Sequence, residues 1–156
     1  WCCGGTGMYN HGKYGQFVYT HVDDVLFVNL FVASELNWQE KGLKLRQETQ
    51  FPYAESSKIT ITEGKGQAAI NVRYPGWVKP GQFAVKVNGQ PVRIVTGPSS
   101  YVTIDRQWKK GDVIEICFPM YNYVKYLPNL PQYIALMHGP VMLAMKTGTE
   151  DLAMLS

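Results

Sequence analysis

The 156-residue chain has only three cysteines, Cys2, Cys3 and Cys117. An odd count in which two are adjacent argues against a disulfide scaffold, because neighbouring cysteines close a small ring that strains the peptide between them. Charge of either sign is not in excess. Fifteen Lys and Arg stand against 12 Asp and Glu, a net +3, and they are scattered along the chain. The basic stripe that marks nucleic-acid binding is missing, so no nucleic-acid partner is expected. No apolar run approaches the roughly 20 residues of a membrane-spanning helix, and no membrane partner is expected either. The first residues carry no positive region followed by an apolar stretch, as a secretory signal would. The chain begins at Trp1 without an initiator methionine and ends in KTGTEDLAMLS without a closing element. The expectation is a piece cut from a larger protein.

What remains is ordinary globular material, 46% hydrophobic and 17% charged, enough for one domain with a sizeable core. Tyr14, Phe17, Val18 and His21 fall at helical spacing and predict a short helix within residues 10–21. After Asp23 and Asp24 the texture changes. VLFVNLFV (25–32) is a continuous β-rich run, expected as a buried strand. LKLRQET (43–49) and KITIT (58–62) alternate apolar with polar, as half-buried strands do. AAINVRY, FAVKV, PVRIV, YVTID and VIEICF follow at strand spacing, with turns at Pro75-Gly76, Asn88-Gly89 and Gly111-Asp112. Asn-Gly is the strongest short hairpin signal.

Strands about every 8 to 12 residues with turn chemistry between them predict an antiparallel sandwich. Cys117, inside VIEICFP, is expected as a small core residue. Trp38, Trp77 and Trp108 each fall at a strand end and are expected to pack the core or plug the sandwich edge. MYNYVKYLPNLPQ reads as a connector carrying an edge strand, and IALMHGPVMLAM as two strands bent at Gly139-Pro140.

The chemistry concentrates in WCCGGTGMYNHGKYG, residues 1–15. Two adjacent thiols followed by three glycines in four positions suit neither a core nor an ordinary loop. By spacing alone the pair is either a metal or catalytic site or two idle thiols, since CC is not CxxC. Gly4, Gly5 and Gly7 allow a tight backbone turn, which Asn10 and His11 would steady by hydrogen bonds, the alternative for His11 being a solvated residue at the start of a helix. Glu35, Glu40 and Glu48 read as surface or structural carboxylates, and His21 and His138 as structural.

WCCGGTGMYNHGKYG, VNLFVASELNW, RYPGW, VKVNG, YVTIDRQWKKGD and HGPVMLA, in this order, resemble glycoside hydrolase family 127 and its sister family 146, formerly a bacterial domain of unknown function. Characterised members are β-L-arabinofuranosidases. The resemblance implies an (α/α)-barrel catalytic domain followed by β-sandwiches. Residues 1–22 would then be the end of the barrel, 23–119 a jelly-roll-like sandwich, and 120–156 a connector and the start of a second sandwich. It implies Cys2 as the nucleophile of a retaining glycosidase and Cys2 and Cys3 as ligands of a zinc ion. The two other ligands and the acid/base glutamate would lie in the upstream barrel domain of the same chain. The implied partner is an arabinose-containing oligosaccharide or glycoconjugate. The piece alone is expected to be inactive, and the alternative is a non-catalytic carbohydrate-binding or barrel-bracing module. Tyr9 stands where the family pattern often has an acidic residue, which bears on substrate preference.

Overall fold

The computed structural model describes residues 2–146, Cys2 by its backbone only. The chain divides into two compact units, Trp1–Met120 and Tyr121–Ser156. The first opens with helices α1 (Cys2–His11) and α2 (Tyr14–Val18) and continues entirely in strands and turns. Its first strands are β1 (Tyr19–Val22), β2 (Val25–Val28) and β3 (Ser34–Trp38). A 3-10 turn at Gln39–Lys41 leads to β4 (Leu43–Thr49), β5 (Ser56–Glu63) and β6 (Lys65–Tyr74). Then come β7 (Ala84–Val87), β8 (Gln90–Pro91), β9 (Ser100–Lys109) and β10 (Val113–Cys117).

Two sheets result, one ordered β1-β2-β6-β9 and the other β3-β4-β5-β10-β7-β8. Alternation puts Leu26, Ile70, Val72 and Val102 on the inner face of the first, and Leu45, Ile59, Ile61, Ile114 and Ile116 on that of the second. These side chains form one buried cluster, so the unit is a mainly β sandwich, as the strand rhythm predicts. Trp108, fully buried, donates its Nε1 hydrogen to the Ala68 carbonyl at 2.9 Å, so its ring enters the core with its polar atom satisfied. Trp38 is buried as well, and Trp77 is partly buried against the core.

Four expectations are revised. The helix expected within 10–21 stops at Val18, because Tyr19–Val22 pairs with Val25–Val28 as a hairpin around Asp23, whose φ is 49°. The strand expected over 25–32 ends at Val28. From there the chain leaves the first sheet, and Phe31 is buried and stacked on Phe118 with ring centres 4.5 Å apart. The pairing is not wholly antiparallel, since β2 runs parallel to β6. The chain reaches β6 from β2 only after building β3, β4 and β5 in the other sheet, and such an excursion permits a parallel return. Lastly, Cys117 is on a strand but exposed. Ile114 and Ile116 take the inward parity of β10, which turns Glu115 and Cys117 outward.

The second unit contains a three-stranded sheet, β11 (Asn122–Leu127), β12 (Leu130–His138) and β13 (Val141–Leu143). The segment read as a connector is thus a hairpin that turns through Asn129 at φ 66°. The bend at Gly139-Pro140 is the turn between β12 and β13. His138 Nδ1 lies 2.7 Å from Asn122 Oδ1, on the residue directly opposite.

Candidate functional site

The double-cysteine segment is helix, not a tight turn: Cys2 to His11 form α1. None of Gly4, Gly5 and Gly7 has a positive φ, and a Cβ placed on any of them meets nothing within 4 Å. Residues 3–11 are all exposed. Cys3 therefore presents its thiol on an open helix surface, and Cys2 heads the same helix with its side chain outside the described residues. Asn10 Nδ2 donates to the Tyr14 hydroxyl at 3.4 Å, and Lys13 N donates to Asn10 O at 3.0 Å. The Tyr9 ring lies 4.6 Å from the Lys13 ammonium, and the His11 and Tyr14 rings meet edge to face at 5.8 Å. Asn10 and His11 thus join α1 to α2.

Thiolates are favoured zinc donors, and two of them make half of a tetrahedral set. The chemistry of the pair fits such an ion in part. Among the described residues no group of three or more His, Cys, Asp or Glu converges to complete it.

Glu35, Glu40 and His21 are engaged elsewhere, and Glu48 lies on the outer face of the six-stranded sheet. Glu35 is paired with Arg46 at 2.8 Å, and His21 Nδ1 lies 3.5 Å from Glu40 with its ring 6.1 Å from that of Trp38. These last three residues line a cavity of about 260 Å³ with Tyr19. The Tyr19 hydroxyl lies 3.1 Å from Ser34 Oγ and donates to Gln47 Oε1 at 3.1 Å. Burial pushes its pKa up, and the Ser34 hydrogen bond offsets part of that rise.

A larger groove of about 560 Å³ lies on the outer face of the six-stranded sheet, which sequence reasoning did not single out. Glu48, Lys58, Glu115 and Lys86 stand directly opposite one another across β4, β5, β10 and β7, and the β4–β5 loop forms one wall through Gln50 and Ala54. The alternation of charge was legible in LKLRQET, SSKITIT, AVKV and VIEIC. Its assembly into a row depends on strand order.

Comparison with known proteins gives the family. Residues 25–120 match the family described as β-L-arabinofuranosidase, GH127 middle domain, and residues 123–156 match a domain of unknown function. No curated protein matches significantly. Among solved structures, one titled glycoside hydrolase is similar over 80% of this chain, with 30% identity and a TM-score of 0.71. A GH127 β-arabinofuranosidase is similar over 80%, with 31% identity and a TM-score of 0.69. The GH127 β-L-arabinofuranosidase of Geobacillus stearothermophilus T6 is similar over 82%, with 29% identity and a TM-score of 0.70. The match covers 22%, 23% and 21% of those chains respectively, so this chain spans about a fifth of their length. The chain belongs to the GH127 β-L-arabinofuranosidase family, whose middle domain it carries in residues 25–120.

Proposed function

We propose that this chain is part of a retaining glycoside hydrolase acting on β-L-arabinofuranosides, with Cys2 as the nucleophile. The observation that carries this reading is the double-cysteine segment directly preceding a GH127 middle domain. In the proposed organisation residues 1–22 close a catalytic barrel, 23–119 form the sandwich beside it, and 120–156 begin a second sandwich. The character of α1 supports this. Three glycines in one helix cost about 1 kcal/mol each relative to alanine, and residues 3–11 of the helix are exposed among the described residues. A barrel partner would supply that burial.

Cys2 and Cys3 would hold a zinc ion together with two ligands from the barrel. When bound, the metal supplies a charge that keeps coordinating thiols deprotonated. The Cys2 sulfur attacks the anomeric carbon, forming a C–S bond as the C–O bond to the leaving group breaks. A carboxylic acid of the barrel protonates the departing oxygen. Water, deprotonated by the resulting carboxylate, then displaces the sulfur, and two inversions return the original configuration. Cys3 would hold the helix start in register with the sugar, and Tyr9, exposed on the same helix, offers a ring face to it.

The test uses the intact enzyme and an aryl β-L-arabinofuranoside. Cys2→Ser should lower turnover by about a thousandfold or more, the scale expected for loss of a nucleophile. Cys3→Ser should lower zinc content. Near-normal turnover in Cys2→Ser removes Cys2 from the mechanism. The 156-residue chain alone should hydrolyse nothing.

A further inference from the structure

From the groove on the six-stranded sheet we infer a binding site for an uncharged oligosaccharide. Its shape follows from two adjacent rows of outward side chains. One is Glu48, Lys58, Glu115 and Lys86. The next is Ser56, Cys117 and Ala84, paired in register across β5, β10 and β7. Those three are small and exposed, so they leave a trough between the charged row and the loop carrying Gln50 and Ala54.

The loop is braced. Phe51 is packed against the core, stacked on Trp77 at 6.1 Å and edge-on to Phe118 at 5.6 Å. Thr49 Oγ1 donates to Ser56 O at 2.8 Å and accepts from Phe51 N at 3.0 Å, while Phe118 N donates to Glu55 O at 2.9 Å. Out of this fixed loop Tyr53 projects 94% exposed. An aromatic ring on a rigid support binds with little loss of conformational freedom.

The chemistry of the ligand follows from what the groove offers. The charges on β3 and β4 that lie outside it are paired, Arg46 with Glu35 and Lys44 with Glu63. The four groove charges, although neighbours, close no ion pair or side-chain hydrogen bond among the described residues. Two carboxylates and two ammonium groups sum to zero, which favours neither an anion nor a cation. Acceptors and donors alternate, as hydroxyl groups require.

A polypeptide would add to a sheet edge through its backbone. Here the backbone of β5 and β10 is already paired on both sides, so only side chains face the ligand. The row spans three inter-strand steps, roughly 14 Å, the reach of a short oligosaccharide. Tyr53, on the loop whose Gln50 and Ala54 line the groove, carries an exposed ring of the kind on which a sugar stacks.

The site is tested by binding of the 156-residue chain to neutral arabino- and xylo-oligosaccharides and to anionic oligogalacturonides, followed by calorimetry or gel retardation. Neutral glycans should bind and the anionic ones should not. Tyr53→Ala and the pair Lys58→Ala/Glu115→Ala should each weaken binding at least tenfold. Asp105→Ala, on the other sheet, should leave it unchanged. Absence of neutral-glycan binding, stronger binding of the anionic glycan, or indifference to the groove substitutions would overturn the proposal. The cysteine chemistry is read by turnover and the groove by binding, so failure of either leaves the other standing.

Discussion

Asn88 Nδ2 donates to Asp112 Oδ1 at 2.9 Å, joining two turns that lie 24 residues apart. Asn88 Oδ1 accepts from Val113 N at 2.8 Å, and Asp112 Oδ2 accepts from Lys109 N at 3.0 Å. Asp112 is 2% exposed, with Arg106 Nη2 3.9 Å from its Oδ2. Burial by itself raises its pKa. The Asn88 and Lys109 hydrogen bonds, with the charges of Arg106 and Lys109, overcome this and hold the carboxyl below its ordinary value of 3.8. The Asn-Gly hairpin and the Gly-Asp turn are thus one clasp at the end of β7 and β10.

A depressed folded-state pKa gives stability that is present above the unfolded value and lost as pH falls through the folded one. Stability of the chain should therefore decline as pH drops below about 4, and Asp112→Asn should flatten that part of the profile. Asn88→Gly keeps the positive φ accessible while deleting both side-chain bonds, and should cost about 1–3 kcal/mol. Denaturant midpoints measured across pH check both statements. An unchanged acid limb in Asp112→Asn would place the acid sensitivity elsewhere.

Gly64 has φ +91°, and a Cβ there would stand 1.9 Å from the Gly42 carbonyl oxygen. The obstacle is backbone, held where Gly42 closes the 3-10 turn before β4. Strain and clash together should make Gly64→Ala destabilising by roughly 3 kcal/mol or more. That corresponds to a fall of about 10 °C in Tm. Gly81→Ala, also at positive φ but in open space, should cost less.

Tyr19 tests the junction between the two sheets, since its hydroxyl reaches Ser34 and the buried Gln47. Its raised pKa means stability is full below pH 10.0 and lost as pH climbs through the folded-state value. Tyr19→Phe should remove part of this alkaline loss and cost about 1 kcal/mol at neutral pH. Chemical unfolding at neutral and alkaline pH measures both.

Cys117 should be alkylated in the native chain without denaturant, as peptide mapping after brief treatment with a thiol reagent would read. Cys117→Ala should change stability by less than about 0.5 kcal/mol, the range of an exposed substitution. Protection of this thiol until unfolding would contradict its outward position.

Much of the sandwich was determined by local sequence. LKLRQET and VIEIC carry their period-two alternation in their own residues, and Asn88-Gly89 turns because both residues take positive φ, 51° and 78°. The parity that turns Cys117 outward was also present, in Glu115 two residues before it. Which strands pair was decided by tertiary structure: the parallel union of β2 with β6, the early exit of Asn29 to Val32 from the first sheet, and the neighbourhood of Glu48, Lys58, Glu115 and Lys86. Alternation and turn type depend on contacts within a few residues, so one stretch of sequence suffices for them. Pairing depends on which distant apolar faces close one core together, and no single stretch contains that information. The thiol pair shows the same division, because its residue types are explicit at positions 2 and 3 while the role proposed for it depends on groups that only folding could bring to it.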